Sequence, residues 1–393
     1  MSAVGPHGHT PIRLGLIGCG AIVQAQHLPA LRATGAFEIA GIADPSFEGA
    51  ADGAAVWLGV PLDRTAGAHR ADPRVRAFLA AHHHADLRAL LAAGGLDAVL
   101  IATPNHTHAA LAAEALAAGC HVLCEKPVAF TVAEHDALIA AARARALVFQ
   151  VGLVFRYSEV FRYTRSLLEP SRLGPPRLLL IDEFRPFSHS AWRYDRAVSG
   201  GMFIEKNCHH FDLFNWMLGD GVRPRRVVAM GGQHVLGAEP AEVWCLREKK
   251  LLGPSDVVDH AFVLIEYEDG ARARLGTSFC CPWGREFRVG LMGPEWKVDV
   301  YEMERLVYVH DGPETRAQRF PPDPQGLRWQ QEAGYREEGA VHSGAVRQWE
   351  EFARCVRDGT APFCDLAKAR ESIRLANAAD RSLAEGQVVE VEG

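Results

Sequence analysis

A glycine turn between an apolar run and a helical stretch constrains this chain most. Gly15-Leu-Ile-Gly18-Cys-Gly20-Ala21-Ile22-Val23 follows the run Ile12 to Ile17 and opens an alanine-rich segment that Gly35 stops. In that context Gly18 permits a tight turn, and Gly20 lets the backbone approach a pyrophosphate, whose charge suits the free N–H groups of a helix N-terminus. The third position of the pattern, where Gly or Ala packs helix closely on strand, is Val23, so the helix is expected to stand off the sheet or tilt. Phe37 to Ala43 is the next strand and ends at Asp44. A carboxylate there can accept hydrogen bonds from an adenosine ribose and repels a 2′-phosphate. Pro45 and Ser46, not an arginine, follow it, so NAD is favoured as cofactor and NADP is the alternative.

Residues 12–150 continue to alternate short apolar runs with helical stretches, the pattern of a parallel sheet with crossover helices. Asp97 to Ala102, His121 to Cys124 and Leu147 to Val154 read as strands. Between them His108, Leu111, Ala112, Ala115 and Leu116 line one helix face, and Thr131 with Glu134 predicts a capping box. Residues 63–84 read as an insertion, because an ordinary connection would be much shorter. His82, His83 and His84 lie in it, but three adjacent side chains cannot all converge on one metal ion.

From about residue 155 strands follow one another without room for crossover helices, at 177–183, 225–231, 261–268, 271–278 and 286–292. Asp269-Gly270 between two of them predicts an antiparallel hairpin. A polar, proline-bearing stretch spans 311–335, and helices at about 342–358 and 366–385 are expected to dock back on the body. The first half is thus α/β and the second α+β. The division predicted is a disordered tail 1–11, a nucleotide-binding domain 12–150 and a substrate-binding and oligomerisation domain 151–393.

Composition excludes several classes of function. With a net charge of −6 and no basic block, nucleic acid is not an expected partner. No apolar run approaches the ~18 residues of a membrane span. The first eleven residues lack the features of a secretory signal, and the nine cysteines contain no C-x-x-C pair, so a cytoplasmic protein with reduced thiols is expected.

A second constellation lies at strand ends, where open α/β sheets bind ligands: Ala102-Thr103-Pro104-Asn105-His106-Thr107-His108 and Glu125-Lys126-Pro127. With the glycine turn, IADPS, VGLVFRYS, SGGMFIEKNCHHFD and the final RESIRLANAADRS, these segments resemble the glucose-fructose oxidoreductase and inositol dehydrogenase (Gfo/Idh/MocA) family over nearly the whole chain. The resemblance implies an N-terminal Rossmann domain, a doubly wound parallel sheet, followed by a domain built on a large open, mostly antiparallel sheet. It implies a cofactor site formed by Gly18, Gly20, Ala21, Ile22, Asp44, Thr103, Pro104, Asn105, His108, Glu125, Lys126 and Pro127. It further implies a reaction site of Lys126, Glu205 and His209, and a cis Lys126–Pro127 bond.

Chemistry supports those three residues. Oxidising a secondary alcohol takes a hydride from carbon and a proton from oxygen, so an acid/base group must reach the hydroxyl. His209 suits that near neutral pH, Lys126 can stabilise the developing oxyanion, and Glu205 can fix the imidazole or bind another hydroxyl. If Glu205 to Leu218 is one helix, Glu205, His209, Asp212 and Trp216 share a face while His210 points about 100° away. A carboxylate and imidazole at that spacing can also share a metal ion, but the metal reading leaves the glycine turn unexplained. Glu205 stands where the family usually has Asp, and Asn207 where it often has Gly.

By the same resemblance the substrate pocket takes in Arg156, Tyr157, Trp192, Arg193, His210 and the Cys280 to Trp283 segment. Flat aromatic faces beside Arg and His suit a sugar, glycoside or inositol. The leading expectation is an NAD(P)-dependent dehydrogenase or reductase of such a compound. A redox-cycling glycosidase and a non-catalytic nucleotide-sensing regulator are the alternatives. An open sheet covered on one face further predicts a homodimer or tetramer.

Overall fold

The computed structural model describes residues 10–188, 190–245, 248–281, 283, 285–321 and 344–392. Its first sheet is parallel throughout. The strands β1 (Ile12–Ile17), β2 (Phe37–Ala43), β3 (His83–His84), β4 (Ala98–Ile101), β5 (His121–Cys124) and β6 (Phe149–Val151) lie in the order β3-β2-β1-β4-β5-β6. Every residue of β4 is buried, as expected where helices cover both faces of a parallel sheet. The order reverses beside β1, and that is where such sheets open a crevice. The capping box forms in full at the helix Val132–Ala144: Thr131 accepts from the Glu134 N–H, and Glu134 accepts from the Thr131 N–H.

Residues 63–84, expected as an insertion, form ordered parts of this domain: the helix Pro73–His82 and β3, the edge strand of this sheet. Two histidines carry no apolar strand signal, which is why the third strand is invisible in the sequence. The edge is held by side chains as well: His83 Nε2 donates to the Asp44 carbonyl, and His82 Nδ1, at the end of the preceding helix, donates to that of Ala40.

The second sheet has nine strands in the order β16-β15-β14-β13-β7-β12-β11-β8-β17. They are β7 (Leu178–Phe184), β8 (Pro224–Gly232), β11 (His260–Tyr267), β12 (Arg272–Ser278), β13 (Glu286–Met292), β14 (Lys297–Tyr301), β15 (Leu306–His310), β16 (Thr315–Arg319) and β17 (Val389–Glu390). β9 (Ala241–Cys245) and β10 (Glu248–Leu252) form a separate hairpin. Among the described strands of the large sheet only β7 and β12 pair in parallel, and the turn at Asp269-Gly270 joins β11 to β12 as predicted. The helices Cys208–Leu218 and Leu366–Glu385 pack on one face. The other face leaves Leu178, Met230, Phe262 and Leu264 exposed.

The helix Ala345–Asp358 crosses back to the first sheet. Trp349 and Phe352, both fully buried, share a core with Leu14, Leu31 and Phe37, and Trp349 meets the Phe37 ring edge-on at 5.1 Å. Residues 1–9, most of the expected tail, and 322–343, which include the polar stretch from 322 to 335 and the expected start of the next helix, lie outside the described residues. No described helix is long and apolar enough to cross a membrane.

Candidate active site

A cleft of about 790 Å³ runs from the glycine turn, past the carboxyl ends of β2, β4 and β5, to the loops of the second sheet. It brings together, from the expected set, Gly18, Gly20, Ala21, Ile22, Asp44, Thr103, Pro104, Asn105, His108, Glu125, Lys126, Trp192, Arg193, Glu205 and His209.

The turn is built for a close neighbour. Gly18 has φ +86°, and a Cβ there would sit 2.6 Å from the Ala102 carbonyl oxygen, so only glycine fits. A Cβ on Gly20 would meet no protein atom within 4 Å; what it would crowd is an occupant of the cleft. The helix that follows is distorted where the small third residue is missing: a π-helical turn, Val23–His27, begins at the buried Val23 and regular helix resumes at Leu28. Asp44 Oδ2 accepts from the Cys19 N–H at 2.7 Å and Oδ1 from the Ser46 N–H at 2.8 Å, which aims the carboxylate along the strand end. These groups fit a dinucleotide, with Gly18, Gly20 and the helix start against its phosphates and Asp44 against its ribose.

The β4 loop is braced rather than loose. Asn105 Nδ2 donates to the Ser199 carbonyl, and the buried His108 ring bridges the Thr103 and Pro127 carbonyls at 2.8 Å each. Burial pushes the His108 pKa down, against the two carbonyls, which favour the charged ring. Pro127 follows a cis bond to Lys126 and does not line the cleft. Trp349 Nε1 donates to His27 Nδ1, which leaves the His27 proton on Nε2, facing Glu125 Oε1 at 2.9 Å. Glu125 also accepts from the Lys126 N–H, so the helix Ala345–Asp358 reaches the lysine loop through His27 and Glu125.

At the far end Lys126 Nζ donates to the Glu205 carbonyl at 2.7 Å and to Glu205 Oε1 at 3.3 Å. Arg193 Nε lies 3.7 Å from the same carboxylate oxygen. Burial alone would raise the Glu205 pKa; Arg193, Lys126, Lys206 and Arg185 more than offset it and bring it to about 2. The His209 ring stacks on Phe155 at 4.6 Å and 30°, which fixes its plane. The helix is not continuous: Met202–Glu205 ends, Lys206 and Asn207 intervene, and Cys208–Leu218 begins. Glu205 and His209 still reach one cleft, whereas Asp212 pairs with Arg156 behind it.

Several expected residues lie elsewhere. Arg156 is buried in an ion cluster, forked onto Asp212 at 2.8 Å twice and onto Asp220 at 2.9 Å, beneath Trp216 and Phe363. Tyr157 donates to Glu351. The four-residue turn Val154–Tyr157 directs Val154 and Phe155 to the cleft and the next two residues away from it. His210 sits behind the cleft, its Nε2 2.8 Å from Glu183. Cys280, Cys281 and Trp283 do not line the cleft, and Trp283 packs on Trp244 at 5.0 Å. Pro282 lies outside the described residues.

In their place stand residues the sequence did not single out: Phe155, Arg185, Lys206, Arg285, Phe287 and Glu302. Arg185 follows β7 and Arg285 precedes β13, and the register Phe184 to Glu286 sets the two side by side. Beneath them Glu183 lies 2.7 Å from Lys206 Nζ, 3.6 Å from Arg185 and 3.7 Å from Arg285. Burial works to raise Glu183, but Lys206, His210 and Arg185 hold it well below the carboxylate range. Among the described residues no group of three or more His, Cys, Asp or Glu side chains is placed to hold a metal ion.

Comparison with known proteins agrees with this architecture. A family model described as an oxidoreductase family, NAD-binding Rossmann fold, matches residues 12–153, and the companion model for the C-terminal alpha/beta domain matches 165–391. The uncharacterized oxidoreductase YrbE of Bacillus subtilis is 29% identical over 53% of this chain, spanning 56% of that protein, little more than half its length. The inositol 2-dehydrogenase of Rhizobium meliloti is 24% identical over 97% of this chain and 99% of its own. Levoglucosan dehydrogenase, solved with NADH and levoglucosan, shares the fold with a TM-score of 0.76 at 20% identity, over 98% of this chain and 100% of the other. The chain belongs to the Gfo/Idh/MocA oxidoreductase family, with an NAD-binding Rossmann fold in its N-terminal half.

Proposed function

We propose that this protein moves a hydride between the nicotinamide of NAD and a secondary alcohol or ketone on a sugar, glycoside or inositol. The observation that carries the reading is the convergence of Lys126, Glu205 and His209 in the cleft that begins at the glycine turn. When bound, the dinucleotide supplies a hydride acceptor; the chain's own side chains supply the rest. His209, its plane held by Phe155, takes the hydroxyl proton on oxidation and returns it on reduction. Glu205 stays ionised and anchors the Lys126 ammonium, whose remaining donor can stabilise an oxyanion at the reacting carbon. Trp192, Phe155 and Phe287 offer apolar faces to a ring. Inositol and levoglucosan dehydrogenases among the relatives support a small polyhydroxylated substrate.

The test is incubation of the full-length protein with a panel of sugars, glycosides and inositols plus NAD, following NADH absorbance and separating the products. Stoichiometric NADH with a keto product, lost in Lys126→Met and His209→Asn, is expected. Release of an aglycone without net NADH would replace this reading with a redox-cycling glycosidase, and cofactor binding without any turnover would leave a sensor.

The exposed apolar side chains Leu178, Met230, Phe262 and Leu264 further support a homo-oligomer closed across the open face of the large sheet. Sedimentation at micromolar concentration should give a dimer or tetramer, and Phe262→Glu with Leu264→Glu a smaller species. A monomer in the unsubstituted protein would sink the idea.

A further inference from the structure

Resting on that reading of the site, we propose that the substrate's ring carries an oxyanion, a carboxylate or a phosphate, seated on Arg185, Arg193, Arg285 and Lys206. All four basic side chains line the cleft at the end remote from the glycine turn, and Lys126 adds a fifth cation there. Two carboxylates answer them. Glu183 lies behind the wall, and Glu205 is shared between Lys126 and Arg193. Glu125 is engaged by His27, outside this group.

Geometry leaves the guanidinium forks unspent. Arg185 and Arg285 stand 3.6 and 3.7 Å from Glu183, beyond hydrogen-bond reach. Buried Nε atoms of Arg193 and Arg285 have no hydrogen-bond partner among the described residues. Their side chains are nonetheless 33% and 25% exposed, so a ligand can reach them. Crowding like charges in a partly closed site is costly, and a bound anion removes that cost. Neutral hydroxyls offer only dipoles. Planar donors converging from separate loops suit the two oxygens of a carboxylate or the three of a phosphate, by charge-assisted hydrogen bonds.

Lys206 bears the same mark. Burial with the neighbouring charges of Arg185 and Arg285 lowers its pKa to about 8 despite Glu183. The remaining carboxyl on this wall, Glu302, is raised by burial to about 7 and so carries only about half a negative charge at neutral pH. Because Arg193 and Lys126 touch the same Glu205 oxygen, the anion-binding wall lies within a ring's width of the reacting group.

The experiment measures binding to the protein saturated with NADH, so it does not depend on turnover. Glucuronate and glucose 6-phosphate are titrated against glucose and myo-inositol by calorimetry, at low and high salt. Expected is an advantage of about tenfold or more for one anionic ring over its neutral counterpart, the range of a charge-assisted hydrogen bond. That advantage should shrink with salt and collapse in Arg285→Gln while NADH affinity holds; glucuronate and the phosphate ester separate the two sources of charge. Equal binding of neutral and anionic rings by the unsubstituted protein overturns the proposal, as does an Arg285→Gln loss that is the same for both. If Arg285→Gln does not fold, the salt dependence of the unsubstituted protein still decides. Anion binding without oxidation of any ring would sink the dehydrogenase reading and keep this one; oxidation of neutral rings with no anionic advantage would do the reverse.

Discussion

The two ends of the cleft are made of different material. The nucleotide end is backbone: Gly18 with its obligatory φ, Gly20 with open space above it, a helix start, and one carboxylate held by two main-chain N–H groups. The end proposed for the substrate is side chain: Lys126, Arg185, Arg193, Lys206 and Arg285 balanced on Glu183 and Glu205. Backbone geometry recognises what every dinucleotide has in common and tolerates little change. A cluster of ionised side chains can be redrawn by one substitution, so a family can keep the first end and vary the second.

The difference can be pressed hardest at the reacting group. His209→Asn is expected to lower kcat by about 10²- to 10⁴-fold, the usual worth of a general base, with NADH affinity unchanged by fluorescence titration. An equal loss of NADH binding would mean the two ends are not separable. A smaller effect is expected at Asp44. Asp44→Asn keeps an acceptor for only one of the Cys19 and Ser46 N–H groups and removes the charge, and should narrow the preference for NADH over NADPH by about tenfold, read as the ratio of dissociation constants. No change in that ratio would show that the carboxylate does not face the ribose.

The smallest effect concerns stability. Glu302 is raised from 4.5 to about 7, chiefly by burial. Between those values the native protein binds more protons than the unfolded chain, so this group lowers stability as pH rises through the window and costs a constant amount above it. In Glu302→Gln, thermal unfolding midpoints followed from pH 4.5 to 7 should fall less steeply than in the unsubstituted protein. Identical slopes would refute the assignment.

The same contrast explains what could be read from the chain alone. Every element of the nucleotide end is contiguous: a turn within nine residues, a carboxylate at a strand end, a loop after β4, a loop after β5. Local pattern therefore suffices. β3 escaped because two histidines at a sheet edge have no apolar periodicity, and β16, exposed along its whole length, has none either. Arg185 and Arg285 meet only because β7 and β13 pair in one register, which no single segment reveals. The resemblance implies Arg156 and Tyr157 in the pocket, but it cannot resolve a single helical turn, which decides which two of four residues face in. The spacing of Glu205 and His209 predicted a shared helix face; the two do line one cleft, but the helix is interrupted at Lys206-Asn207.

Trp349 and Phe352 complete the first sheet's core from the far end of the chain, which bears on how the chain is made. A ribosome delivers β1 to β6 long before it delivers the helix Ala345–Asp358, and until then the groove around Phe37 and His27 has nothing to fill it. The nucleotide half is thus the first to be synthesised and the last to be completed. A chain stopped after residue 153 should bind an apolar dye that the full chain excludes, and the two halves should melt as one cooperative unit.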